Sequence, residues 1–174
     1  RIGQLAAELH EVIASGRRVS LVSSGAVGAG MGRLGLTSRP TDVSQLQAVA
    51  AVGQSLLVEA YERNLRGFGH HAAQILLTAE DLEHRTRYLN ARNTILTAME
   101  YGAVPIINEN DTVSVEELRT TFGDNDRLAA IVTNLIRAPL LVLLSDVDGL
   151  FDGEPKEPKS QLISTVKRMD KSVF

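Results

Sequence analysis

The stretch Val104-Pro105-Ile106-Ile107-Asn108-Glu109-Asn110-Asp111 decides how this chain is read. Its first half is apolar and strand-like. Its second half is four polar or acidic side chains. Downstream, Gly123-Asp124-Asn125-Asp126 places a second polar tetrad where a helix should begin. Asp and Asn build ordinary turns by hydrogen-bonding their own backbone, and glycine accepts positive φ. One tetrad alone reads as a turn. Two, at the strand end and the helix start of one α/β unit, read as a site for ammonium groups, hydroxyls or metal-bound phosphates.

The flanking patterns supply the rest of such a fold. Ile2, Leu5, Leu9, Val12 and Ile13 follow helical spacing, and Gly16 supplies a stop. Residues 19–23 read as a short strand, and SGAVGAGMGRLG (24–35) as a glycine-rich helix start. Asp42 is an N-cap candidate for a long helix whose shared face carries Leu46, Val49, Ala50, Gly53, Leu56, Leu57 and Ala60. Gly67 and Gly69 end it, residues 71–77 read as a strand, and Thr78 is placed to cap the acidic turn at Glu80 and Asp81. A helix carrying Leu89, Leu96 and Met99 stops at Gly102. Residues 112–122 read as irregular or as a small hairpin. Asp124 is placed to cap a helix through Leu128, Val132 and Ile136, and residues 140–144 read as a strand buried on both faces.

Alternating strand and helix patterns predict a single α/β domain with a mostly parallel sheet and helices on both faces. Ser23-Ser24-Gly25, Thr78, Asn108 to Asp111, and Ser145-Asp146 each follow a strand in this reading. In a parallel sheet all four groups share the carboxyl edge, where open α/β folds bind ligands.

Composition narrows the function classes. With 174 residues, 44% hydrophobic and 22% charged, the chain can bury a real core. A net charge of -3 gives no reason to expect nucleic acid or an anionic membrane as partner. No apolar run approaches a membrane span, and residues 1–15 read as an amphipathic helix and not as a signal peptide. With no cysteine there is no disulfide framework and no thiolate metal site. This is compatible with the cytosol, and a cytoplasmic location is expected. All four lysines (Lys156, Lys159, Lys167 and Lys171) lie in the last 20 residues. A flexible ammonium near the tetrads cannot easily come from the body of the chain.

Each motif has a plain alternative. The glycine-rich turn after Val22 offers free N–H groups and a positive helix end to a carboxylate or phosphate. It is no Walker A loop, because no Gly-Lys-Ser/Thr follows, and close helix packing explains the glycines equally well. Asp124-x-Asp126 does not continue as an EF-hand loop, since residue 128 is leucine, and no metal ligands are assigned. Asn125 and Asp126 then project from the first helical turn toward the cleft. The apolar run ending in Asp146-Val147-Asp148-Gly149 is similar to the nucleophile motif of haloacid-dehalogenase-type phosphatases, with Asp146 as nucleophile and Asp148 as acid. That motif normally opens its domain. His70 and His71 start a strand and point to opposite faces, and His10 and His84 read as helix-surface residues without a role.

Taken together, VSSGAVGAG (22–30), QAVAAVGQ (47–54), LLTAEDLEHRTRYLNARNT (76–94), VPIINENDTV (104–113), FGDNDRLAA (122–130) and LLSDVDGLF (143–151) resemble the amino-acid kinase family, over residues 1 to about 170. The paired NEND and GDND tetrads resemble its glutamate-phosphorylating branch in particular. The resemblance implies a three-layer αβα sandwich. It also implies transfer of the ATP γ-phosphoryl group to the side-chain carboxylate of L-glutamate, the first step of proline biosynthesis, with Mg2+ carried mainly by the nucleotide phosphates. Proline is implied as a feedback inhibitor, and a homo-oligomer as the assembly. By the same resemblance Ser24, Gly25, Asp111 and Asn125 bind glutamate and Ser145 and Asp146 bind the nucleotide. Asp126 is implied as the catalytic acidic residue that organises lysines.

Two family features have no counterpart here: a first strand carrying Lys-x-Gly, and a later glycine-rich segment with a second lysine. The chain therefore reads as the central part of a kinase domain, expected to be inactive alone. A phosphatase using Asp146 and a non-catalytic amino-acid-sensing domain stand as the alternative readings.

Overall fold

The computed structural model describes residues 1–113, 124–157 and 159–167, with Asp124 described by its backbone. In chain order the elements are α1 (Ile2–Ala14), β1 (Leu21–Val22), α2 (Ala26–Leu34), α3 (Val43–Arg66), β2 (His71–Leu77), α4 (Ala79–Glu83), α5 (Arg85–Glu100), β3 (Ala103–Glu109) and α6 (Asp124–Ile136). The sheet order is β1-β3-β2, and both pairings are parallel. Leu21 pairs with Ile106, and His71 through Leu77 pair in register with Ala103 through Glu109.

Side-chain alternation along the strands builds the layers. Val104 and Ile106 of β3 point into one core with Ala6 of α1 and Leu57, Tyr61 and Leu65 of α3. Ile107 points the other way, into a second core with Ile95 of α5 and Leu128, Val132 and Leu135 of α6. Neighbouring strands obey the same parity: Leu21 and Ala72 join the first core, Val22, Ile75 and Leu77 the second. Helices thus cover both faces of a parallel sheet, which is the expected α/β sandwich.

Local signals explain the element ends. Asp42 accepts a hydrogen bond from the Gln45 N–H and starts α3. Thr78 and Asp81 form a reciprocal capping box at α4. Gly102 at φ +78° turns the chain from α5 into β3. Glu62 of α3 accepts a hydrogen bond from the Ala72 N–H at 2.7 Å, which fixes the start of β2. That bond first, with His71 and Arg66 beside it, holds the Glu62 carboxyl down at about 2.

Four expectations are corrected. The first strand pairs only over Leu21–Val22, so the stretch 19–23 is mostly extended chain leading to the ladder. On α3, Gln54 and Tyr61 are buried along with the apolar stripe, while Leu56 and Ala60 are half-buried. On α5 the buried side chain is Ile95, and Leu89 is exposed, because only one narrow stripe of that helix meets the sheet. Residues 140–144 join no ladder among the described residues, and Leu140, Val142, Leu143 and Leu144 are exposed. An apolar run carries a preference for burial but no ladder partner of its own, and the described sheet has its free edges at β1 and β2. Residues 114–123, which held most of the expected irregular segment, lie outside the described residues.

Two compact units divide the chain, Arg1–Leu141 and Val142–Phe174. The sheet, its helices and both cores belong to the first. In the second, Phe151 bridges Leu162 in an antiparallel contact, and Asp152 accepts the Gln161 N–H at 2.7 Å.

Candidate functional site

The parallel register brings the ends of β1, β2 and β3 to one edge of the sheet. Ser23 follows β1, Thr78 follows β2, and Asn108 and Glu109 close β3. The first polar tetrad is therefore half strand: Asn108 and Glu109 stay in the ladder, and only Asn110 and Asp111 leave it. The Asn110 N–H still donates to the Leu77 carbonyl at 2.8 Å, so the sheet carries the chain one residue past β3. Thr112 Oγ1 then donates to Asn110 Oδ1 at 2.6 Å and shapes the turn.

Beside this edge stands the start of α2. Gly25 takes φ +108°, a conformation only glycine adopts without strain, and no side chain caps the helix. The first-turn N–H groups are open to an anion, as the glycine-rich turn predicts. Ser24 and Gly25 are exposed there, while Ser23 is buried and its hydroxyl lies 3.0 Å from the Tyr61 hydroxyl. The glycines also do the packing work of the plain alternative. A Cβ on Gly53 of α3 would overlap the Ala26 carbonyl oxygen, and one on Gly30 would overlap the Val49 carbonyl oxygen. The backbones of α2 and α3 are in direct contact, so the packing reading of this segment holds.

Asp111 is the electrostatic centre of the edge. It is 9% exposed. Burial first, and the Glu109 carboxylate second, push its carboxyl up to about 6, against the opposing pull of Arg39. A buried carboxylate held against its own ionisation is a strong partner for an incoming ammonium group.

The start of α6 meets the same region. Leu128 belongs to the core that holds Val22 and Leu77, the last paired residues of β1 and β2, and Ile107 of β3. Asn125 precedes Leu128 by one helical step and shares its face. It is half-buried, and its Oδ1 is buried with no hydrogen-bond partner among the described residues. Asp126 is exposed on the first turn of α6. Asp124 is the first residue of α6, and its expected capping contact lies outside the described residues.

Thr78 holds α4 at the end of β2. Burial raises the Asp81 carboxyl, but the Thr78 N–H and hydroxyl and the Arg87 guanidinium together bring it below the ordinary carboxylate value. Ser145 and Asp146 belong to the second unit, where the Ser145 hydroxyl accepts from the Val147 N–H at 3.4 Å and both residues are exposed. The buried strand that the phosphatase reading of Asp146 requires is not formed among the described residues. His10 is no isolated surface residue: its ring stacks on Phe68 and its Nδ1 lies 3.1 Å from His70 Nε2. Gln54, buried and bonded to Asn108 at 2.9 Å, is a polar residue beside this edge that the apolar stripe concealed. A glutamine next to a buried glycine was the available signal.

The model of the amino acid kinase family matches residues 1–171. The chain belongs to the amino acid kinase family. Within it, the chain is 51% identical over its whole length to glutamate 5-kinase of Rhodopirellula baltica, covering 45% of that protein. It is 51% identical over 99% of its length to glutamate 5-kinase of Geobacter sulfurreducens, covering 46% of it. Glutamate 5-kinase of Pseudomonas savastanoi pv. phaseolicola is 55% identical over 97% of the chain, which covers 45% of that relative. The chain thus spans about half the length of the curated relatives it matches. Among the described residues no helix is long and apolar enough to cross a membrane.

Proposed function

We propose that the protein carrying this chain phosphorylates the side-chain carboxylate of L-glutamate with ATP, giving L-glutamyl 5-phosphate and ADP. The observation that carries this reading is identity of 51–55% to proteins named glutamate 5-kinase along nearly the whole chain. The polar edge of the sheet supports it with a suitable set of groups. Asp111 takes the substrate ammonium, Ser24 and the Gly25 turn take a carboxylate at the open start of α2, and Asn125 offers its amide from α6. Ser145 and Asp146 bind the nucleotide.

In the transfer, one glutamate carboxylate oxygen bonds to the γ-phosphorus as the bridging oxygen leaves with ADP. The nucleophile is already ionised, so no general base is needed. The protein has to bring two anions together and neutralise the developing charge. Asp126 serves by holding lysines at the phosphates. Mg2+, when bound with the nucleotide, would neutralise charge on its phosphates. The same reading places the protein at the entry to proline biosynthesis in the cytoplasm, as a homo-oligomer answering to proline.

The test is ADP release by the protein at its full encoded length, with L-glutamate, ATP and Mg2+. Release that depends on glutamate, with trapping of the acyl phosphate as a hydroxamate, is expected. ATP hydrolysis unaffected by glutamate, or release of phosphate from a simple phosphoester without ATP, would overturn the reading.

A further inference from the structure

Gln54 is a buried amide at the ligand edge that nothing above employs. It sits on α3 and is only 7% exposed. Its Oε1 accepts a hydrogen bond from Asn108 Nδ2 at 2.9 Å. Asn108 is 3% exposed and is the sixth residue of β3, one residue before the strand ends and the chain turns toward Asp111. The other half of the amide, Nε2, is buried with no hydrogen-bond partner among the described residues. A buried N–H donor without an acceptor is costly, and folded chains rarely tolerate one away from a site.

The neighbours of Gln54 sharpen the argument. Gly53 lies against the Ala26 carbonyl and the Gly30 N–H, within the first turns of α2. Two consecutive residues of α3 therefore touch the two elements that form the ligand edge. Gly53 sets the start of α2, and Gln54 sets Asn108 at the end of β3. Such a position fits a donor that serves a ligand lying between them. The plain alternative is an internal brace, in which the Gln54–Asn108 bond serves the fold alone. That alternative accounts for Oε1 and leaves the Nε2 protons unexplained.

We propose that Gln54 is a substrate-binding residue: it fixes Asn108 through Oε1 and donates from Nε2 to a carboxylate of the bound amino-acid substrate. The inference rests on the glutamate kinase reading and adds to it a residue and a bond. Both tests use the full-length protein. Gln54→Met keeps much of the volume and the packing while removing donor and acceptor. The KM for glutamate is expected to rise roughly 10- to 100-fold, with the KM for ATP within about twofold of wild type. A crystal structure of the wild-type protein with L-glutamate needs no variant. There Nε2 is expected within about 3.2 Å of a ligand carboxylate oxygen. Wild-type glutamate KM in Gln54→Met, equal damage to both substrates, or Nε2 bonded only to protein in the complex would overturn the inference and leave the kinase reading intact. Absence of glutamate-dependent ADP release by wild type would remove the kinase reading and this inference together. If Gln54→Met does not fold, the complex decides.

Discussion

Replacing Asp111 by asparagine is expected to make the protein more stable and worse at its task. Asp111 is buried, and burial followed by the Glu109 charge raises its carboxyl from 3.8 to about 6. The folded state therefore holds the proton more tightly than the unfolded chain. The stabilisation this gives is fully present below pH 3.8, and it is lost as pH rises through about 6. At about 1.4 kcal/mol per pH unit, the ionised form costs the folded state about 3 kcal/mol at neutral pH. D111N keeps the shape and never ionises. Urea denaturation at pH 7.5 is expected to show a gain of about 1–3 kcal/mol over wild type, shrinking toward zero by about pH 4. The same variant loses the charge that holds the substrate ammonium, so its glutamate KM is expected to rise roughly 10- to 100-fold. In the wild type, glutamate KM is expected to climb as pH falls below about 6, since a protonated carboxyl attracts no cation. A D111N protein that is no more stable at pH 7.5 than at pH 4, relative to wild type, would refute the premise that Asp111 is held against its own charge.

Asn125→Ala is expected to raise the glutamate KM by roughly tenfold or more and to leave the ATP KM nearly unchanged, in steady-state kinetics with each substrate varied. Equal loss for both substrates would remove Asn125 from the amino-acid site. Asp126→Asn is expected to lower kcat with little change in either KM, because the lost charge is the one that holds lysines at the transferring phosphate. A wild-type kcat would reduce Asp126 to an ordinary first-turn residue. Gly53→Ala is expected to cost about 3 kcal/mol or more, seen as a fall in Tm of about 10 °C, because the added methyl meets the Ala26 carbonyl. An unchanged Tm would show that α2 and α3 are not in backbone contact.

Much of this fold was legible because its signals are local. Residues 71–77 form the strand their pattern predicts, Asp42 and Thr78 cap where their side chains allow, and Gly102 turns where only a glycine is relaxed. The common edge for Ser23, Thr78 and Asn108 followed from parallel topology and is met by the register. What failed depended on distant partners. Residues 140–144 carry every strand preference, but a ladder needs a neighbour that the run does not encode. Leu89 and Ile95 both sit on an α5 pattern too weak to choose its own buried face, and the sheet chose Ile95. Within the site, Asp111 and Asn125 were named from their motifs, but the elevated carboxyl of Asp111 arises from burial first and the Glu109 charge second, with Arg39 pulling the other way. Gln54 was missed because helical periodicity marks buried positions as apolar, and its bond partner is 54 residues away.

The contact between α2 and α3 sets an unusual genetic constraint. At most buried sites, a bulkier residue can be relieved by shrinking the side chain it strikes. Here an added methyl at Gly30 or Gly53 strikes carbonyl oxygens of the main chain, at Val49 and Ala26. Trimming the struck residue's own side chain would leave that oxygen in place. Revertants of Gly53→Ala should therefore be dominated by restoration of glycine at that codon, and local side-chain suppressors should be scarce. Any distant suppressor would have to move a whole helix, and because α2 begins at the proposed substrate edge, it should betray itself by an altered glutamate KM.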